Sequence, residues 1–282
     1  MSAAQISIYS LLKNYFQKIV LTWLLVIIEN ILLALIPLLI GFAIDGLLEG
    51  DNSDLLNLAG VFLLLILFSV ARRVYDTRAY SSIRVGLGIE VDNNHQEEAV
   101  SIRNARLEMS RELVDFLEED LPELFTAVIQ LIAAIIILVT IHFPLAYAAA
   151  VLMFTMALVY AGFHQYFYKL NGALNNQIEQ QVSVLGKKLV GLLKNHLSKR
   201  RRLEIRLSDA DAVLYGLLFL LISAFIVFNL STTALIAGIT AGTIFAVVSY
   251  SWEFSESAIE LPMTMQKWTR LREISERLSK KI

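Results

Sequence analysis

Seven polar side chains fall inside or at the edge of long apolar blocks: Glu29, Asn30, Gln130, Ser249, Glu253, Glu256 and Glu260. Ionisable groups at membrane depth are costly, so each is a candidate for lining a substrate cavity or carrying a proton. Counted from Ile19, Glu29 lies roughly 15 Å along its helix, near a bilayer midplane. Asn30 is adjacent, and Gln130 of the third apolar block is expected at a similar depth. A carboxylate there must be protonated, paired or in contact with a wet cavity. The depth count places no cation opposite Glu29, so a cavity or proton-bearing role is expected ahead of simple pairing. The competing reading is a protonated Glu29 bonded to Asn30 or Gln130 between helices.

Ser249, Glu253, Glu256 and Glu260 are spaced i, i+4, i+7 and i+11, which puts them on one helical face. Such an acidic stripe can receive a cationic or amphipathic solute at the inner mouth of a cavity. The stronger expectation is interfacial ion pairing with Arg72 and Arg73, because Glu253 is roughly 28 Å from the outer start of its helix. Asp92, His95 and Glu98 also share a helical face, but they lack the spacing of a calcium loop and read as a solvated surface. Tyr160, His164, Tyr166 and Tyr168 read as an aromatic belt. No metal site is expected. No Ser-His-Asp or paired-carboxylate arrangement points to an enzyme.

The elements that must hold these residues are long apolar helices. Of 282 residues 56% are hydrophobic and 18% charged, and the mean hydropathy is +0.61. The apolar residues gather at Ile19 to Ile44, Leu55 to Ala71, Leu124 to Ile141, Leu145 to Phe163, Ala212 to Leu230 and Ala234 to Tyr250. Hydrocarbon offers no partner for a free backbone group, and the period-2 pattern of barrel strands is absent, so the blocks must be helical. The expectation is an all-α membrane protein of six spans, forming a single transmembrane domain over residues 1–282. There is no cysteine, which excludes disulfides and thiolate metal sites.

Charge orients the spans. All 24 Lys and Arg residues fall in the N-terminus, the second-to-third connection, the fourth-to-fifth connection and the tail. The other three connections hold none, and the one from Asp45 to Asp54 carries four acids. Basic flanks stay in the cytoplasm, which puts both termini there. The run Lys199-Arg200-Arg201-Arg202 reads as an interfacial cluster touching anionic lipid rather than a nucleic-acid site.

Two charged excursions join three hairpins. Their stretches 97–119 and 175–194 are rich in helix formers, so helical extensions into the cytoplasm are expected. Ser208 with Asp211, and Asp120 with Glu123, are spaced as capping boxes at helix starts. Pro122 suits a first turn or kinks a continuous helix. Ile6, Tyr9, Leu12 and Phe16 recur at helical spacing, as in an interfacial elbow over residues 1–18.

The first block ends Pro37-Leu38-Leu39-Ile40-Gly41-Phe42-Ala43-Ile44-Asp45, and the sixth opens Thr240-Ala241-Gly242-Thr243-Ile244. The helix then runs on through Trp268 to Ile274. Together these three stretches resemble the membrane half of a type I ABC exporter, in which the last leads into the ATPase domain. The sequence contains no Gly-x-x-x-x-Gly-Lys-Ser/Thr phosphate loop; Gly186-Lys187-Lys188 lacks the upstream glycine and the hydroxyl residue. The expectation is therefore a stand-alone membrane domain with no cofactor of its own, ATP entering only through a separate nucleotide-binding subunit.

The resemblance implies a homodimer in a bacterial inner membrane. Gly238 and Gly242 form a small-xxx-small pair suited to close helix contact, between subunits or within one. The function expected is movement of a small amphipathic or cationic solute. The alternative is a membrane scaffold or binding protein that has lost transport.

Overall fold

The computed structural model describes residues 8–96, 100–187 and 189–279. The described elements are helices: α1 (Ile8–Asn14), α2 (Phe16–Glu49), α3 (Ser53–Asn94), α4 (Val100–Asp115), a π-helical segment (Phe116–Asp120), α5 (Leu121–Ile141), α6 (Phe143–Glu179), α7 (Gln181–Gly186), α8 (Val190–Ala234) and α9 (Ala241–Ser279). Five stretches are long and apolar enough to cross a membrane: α2, α3, residues 102–141, residues 143–186 and α8. The outer surfaces of these helices carry many exposed large side chains, such as Ile27, Ile31, Leu63, Leu67, Ile132 and Phe219. In water that surface would be untenable; in lipid it is solvated.

The stretch expected as the sixth span, Ala234 to Tyr250, is not among these five, and it is not one continuous helix. Residues 231–234 end α8, residues 235–240 are non-helical, and α9 begins only at Ala241. The expected helix start at Ser208 is absent, because α8 runs unbroken through it. Charged residues at the start of α8 continue one helix from a polar segment into an apolar one, and no cap is needed there. Nor does Asp120 cap a helix: its backbone is helical and its side chain makes no capping bond. Pro122 lacks the N–H that would meet the preceding turn, and the chain answers with the wide turn Phe116–Asp120 directly before it. Among the described residues of the two excursions, 100–119, 175–179, 181–186 and 190–194 are helical, in keeping with their composition.

The chain divides into two compact units, residues 1–142 with 233–282, and residues 143–232. In the first, α2 packs on α3, α5 and α9, and α5 packs on α9. The hairpin between α2 and α3 turns at Gly50, whose φ of 84° is the left-handed cap that ends α2. Asp51 follows and accepts from the Ser53 amide (2.9 Å) and hydroxyl (2.7 Å). Those bonds hold its carboxyl below the usual range.

The packed core of this unit gathers Tyr80, Ile83, Leu87 and Val91 of α3 against Leu113, Val114, Phe116 and Leu117, with Ile19 of α2. Leu11 of α1 belongs to the same core. Residues 1–7 of the expected elbow lie outside the described residues. The Tyr80 hydroxyl donates to the Leu117 carbonyl in the π-helical segment at 2.9 Å. Arg84 binds Asp115 and Glu118, and Arg103 binds Asp92, so α3 and the α4 arm are joined by charge outside the core as well as by packing within it.

Candidate functional site

Where α2 and α9 meet near the α2–α3 turn, their backbones touch. A Cβ on Gly242 would run into the Gly41 carbonyl, and one on Gly41 would stand 2.7 Å from the Gly242 carbonyl oxygen. Only glycine admits this approach. Asp45 sits beside it and accepts from the Gly242 amide at 2.8 Å and from the Thr240 hydroxyl at 2.6 Å. The Thr240 oxygen in turn takes the Thr243 amide at 3.1 Å, as an N-cap does. A carboxylate at a helix N-terminus is also favoured by the helix dipole. This arrangement is a latch between the two helices. It uses Gly242 inside one chain, while Gly238 stands in the α8–α9 connection with a φ of 74°.

Following α9 from this latch, Ala246 lies next to Gly41, and the Tyr250 hydroxyl reaches the Ala34 carbonyl at 2.7 Å. The residues of α2 that face α9 are thus Asp45, Gly41 and Ala34, and the next member of that stripe is Asn30. On α9 the stripe Gly242, Ala246, Tyr250 continues to Glu253. From α5, the Gln130 amide donates to the Asn30 carbonyl at 3.4 Å. Helical register therefore brings Asn30, Gln130 and Glu253, one from each of three mutually packed helices, to one level.

The hydrogen bonding at this level is incomplete. Asn30 is 3% exposed, and its amide nitrogen donates to the Val26 carbonyl at 2.9 Å. Because both amide nitrogens are committed as donors, the oxygens of Asn30 and Gln130 are fixed as acceptors. Asn30 Oδ1, Gln130 Oε1 and Glu253 Oε2 are all buried without a partner. Buried polar atoms are rarely left so, since each costs about 1–3 kcal/mol when unsatisfied.

Glu29, adjacent to Asn30, is in a different situation. Its Oε2 lies 2.5 Å from Arg72 Nε, an ion pair too bent to be a hydrogen bond, and Ser69 donates to its Oε1. Arg72 also approaches Asp76 at 3.9 Å. The expectation that no cation stands at the depth of Glu29 is corrected. The block Leu55 to Ala71 was ended at the first arginine, but α3 continues to Asn94 and carries Ser69, Arg72 and Asp76 along one face toward α2. Arg72 accordingly pairs with Glu29, not with the α9 stripe. Nor does Glu29 bond to Asn30 or Gln130.

The remaining stripe residues divide. Ser249 is half-buried, Glu256 and Glu260 are exposed, and of the four only Glu253 points an unpartnered buried oxygen inward. Elsewhere, Asp92 is bound by Arg103, and His95 Nδ1 lies 2.8 Å from the Val91 carbonyl. Glu98 lies outside the described residues. Among the described residues no three His, Asp or Glu side chains are grouped to hold a metal ion.

In the second unit, an apolar groove of about 340 Å³ runs between α6 and α8, lined by Tyr147, Val151, Leu152, Leu221, Phe225 and Phe228. None of the seven polar candidates lines it.

The sequence signal that finds the latch was present in the two stretches Gly41 to Asp45 and Thr240 to Thr243, whose meeting only the fold reveals. Ser69, Arg72 and Asp76 were also readable, as an i, i+3, i+7 face.

Residues 8–242 match a family model described as the ABC transporter transmembrane region. No curated protein matches the chain.

Proposed function

The chain belongs to the family of the ABC transporter transmembrane region, an integral, multi-pass, helical membrane protein of transport type, and from that premise we propose that it moves a small cationic or amphipathic solute past the level of Asn30, Gln130 and Glu253. One observation carries the reading: the unpartnered atoms there are three oxygens, all acceptors. An ammonium or amidinium group supplies the donors they lack, and its charge meets the carboxylate of Glu253.

Glu29 serves this layer from the side. Its charge is held by Arg72, so it contributes to the packing of α2 on α3 and leaves Glu253 as the carboxylate that meets solute. In the proposed arrangement α9 is the sixth span, with both termini in the cytoplasm and the latch at the outer end. Two copies complete the transporter, and a separate nucleotide-binding subunit is the proposed source of energy. A non-transporting scaffold has no use for unpartnered acceptors, and we place it second.

Binding is the direct test because it needs no energy source. Purified protein in phosphatidylcholine nanodiscs is titrated with ethidium, an amphipathic cation, and read by fluorescence anisotropy. The expected result is saturable binding that Glu253→Gln weakens about ten-fold, the scale of one lost charge-assisted contact. Saturable binding unchanged by Glu253→Gln would remove this level from the solute path. Partner proteins that co-purify with a chain unable to bind any cation would favour the scaffold.

A further inference from the structure

The second unit holds a feature that plays no part in the proposed transport path. The end of α6, α7 and the start of α8 enclose a cavity of about 340 Å³. The charged residues among its described lining are all basic: Lys187 from the α7–α8 connection, and Lys199 and Arg202 from α8. Among the described residues neither Asp nor Glu lines it. The neighbouring Arg200 is neutralised by Glu204 at 2.7 Å and also donates to Gln181 at 3.2 Å. Lys187, Lys199 and Arg202 have no such carboxylate among the described residues.

His196 supplies the second, independent observation. It lines the same cavity, yet it is only 4% exposed. Its Nδ1 lies 2.5 Å from Gln177 Nε2. With the amide nitrogen donating, Nδ1 is the acceptor and the ring proton is carried on Nε2. That Nε2 is buried and has no partner. A buried donor without an acceptor, set among three cations without counter-charges, calls for an acceptor-only, negatively charged group.

We infer that this cavity is a binding site for the phosphate group of an anionic ligand. A tetrahedral phosphate presents several acceptor oxygens at once. It can take the planar fork of Arg202, the point charges of Lys187 and Lys199, and the Nε2–H of His196. Asn195 and Ser198, which also line the cavity, add uncharged hydrogen-bonding groups. The basic run of residues 199–202 thus divides by helical face: Lys199 and Arg202 turn to the cavity, and Arg201 lies outside it. The phosphate can arrive on a lipid headgroup or on a soluble phosphomonoester, and the site does not depend on the transport reading.

The full chain is placed in phosphatidylcholine nanodiscs, alone and with a tenth of the lipid replaced by phosphatidate. Bound phosphatidate is counted by native mass spectrometry, and glycerol 3-phosphate is titrated calorimetrically into the phosphatidylcholine discs. Phosphatidate retained at one per chain identifies a headgroup site; saturable heat from glycerol 3-phosphate identifies a soluble ligand. Either result supports the proposal when Arg202→Gln and His196→Asn weaken binding at least ten-fold and Arg201→Gln leaves it within two-fold. Arg202 is exposed, so its loss tests the site without threatening the fold. Equal losses from Arg201→Gln and Arg202→Gln would reduce the effect to general surface charge and overturn the proposal, as would wild-type protein that binds neither probe.

Discussion

The latch and the acceptor layer share helices α2 and α9, about three turns apart, with α5 joining them at the layer, and they handle polarity in opposite ways. At the latch, both Asp45 oxygens accept a hydrogen bond, Thr240 both gives and receives, and two glycines let the backbones meet. At the level of Asn30, Gln130 and Glu253, three buried oxygens wait for donors. A fold that satisfies its polar atoms so completely in one place leaves them open in another where something else is to be bound. The latch is structural, and the layer is where a solute belongs.

Breaking the latch should have the largest effect. Gly242→Val forces α2 and α9 apart against the Gly41 carbonyl, and overpacking of that kind costs about 1–3 kcal/mol or more. Loss of the monodisperse peak in size-exclusion chromatography after detergent extraction is the expected outcome. A variant that elutes and melts like wild type would mean the helices do not touch there.

Next comes the ion pair beside the layer. Arg72→Ala leaves the Glu29 carboxylate largely buried without its cation, and we expect a loss of about 3 kcal/mol, the lower limit for broken buried pairs because Arg72 is partly exposed. Glu29→Gln with Arg72→Gln together should be more stable than Arg72→Ala alone, by thermal melting in matched detergent. If the double variant is the worst of the set, Glu29 is held by something other than Arg72.

Removing the latch carboxylate is a smaller change. Asp45→Ala strips the Gly242 amide and Thr240 hydroxyl of their acceptor and should cost about 1–2 kcal/mol. The layer should respond in the opposite sense. Asn30→Leu or Gln130→Met removes an acceptor that had no donor, and should be neutral or raise stability by up to about 1 kcal/mol. A loss as large as that of Asp45→Ala would show that the layer is bonded in the resting protein.

Much of this was legible in the residues. Hydropathy placed the apolar helices because backbone groups in lipid leave no alternative, and the isolated polar residues Asn30, Gln130 and Glu253 stood out against them. The partner of Glu29 did not, because a block ended at its first charge hides an arginine that still lies on the helix. Arg72 was assigned to the interface by that cut. The start of the sixth block was also misplaced: residues 235–240 are apolar enough to read as membrane, but Thr240 and Asp45 start α9 later by capping it. Tertiary contact decided both points, and neither is written in local spacing. Ser249, Glu256 and Glu260 share the periodicity of Glu253, yet periodicity does not tell which member of a stripe reaches the interior.

The most direct measurement is made on Glu253→Met, with melting temperature and ethidium binding read on the same preparation in phosphatidylcholine nanodiscs. A side chain of similar volume without charge or acceptors should hold or raise the melting temperature and abolish saturable binding. A lowered melting temperature with binding intact would make Glu253 a structural residue and contradict the account.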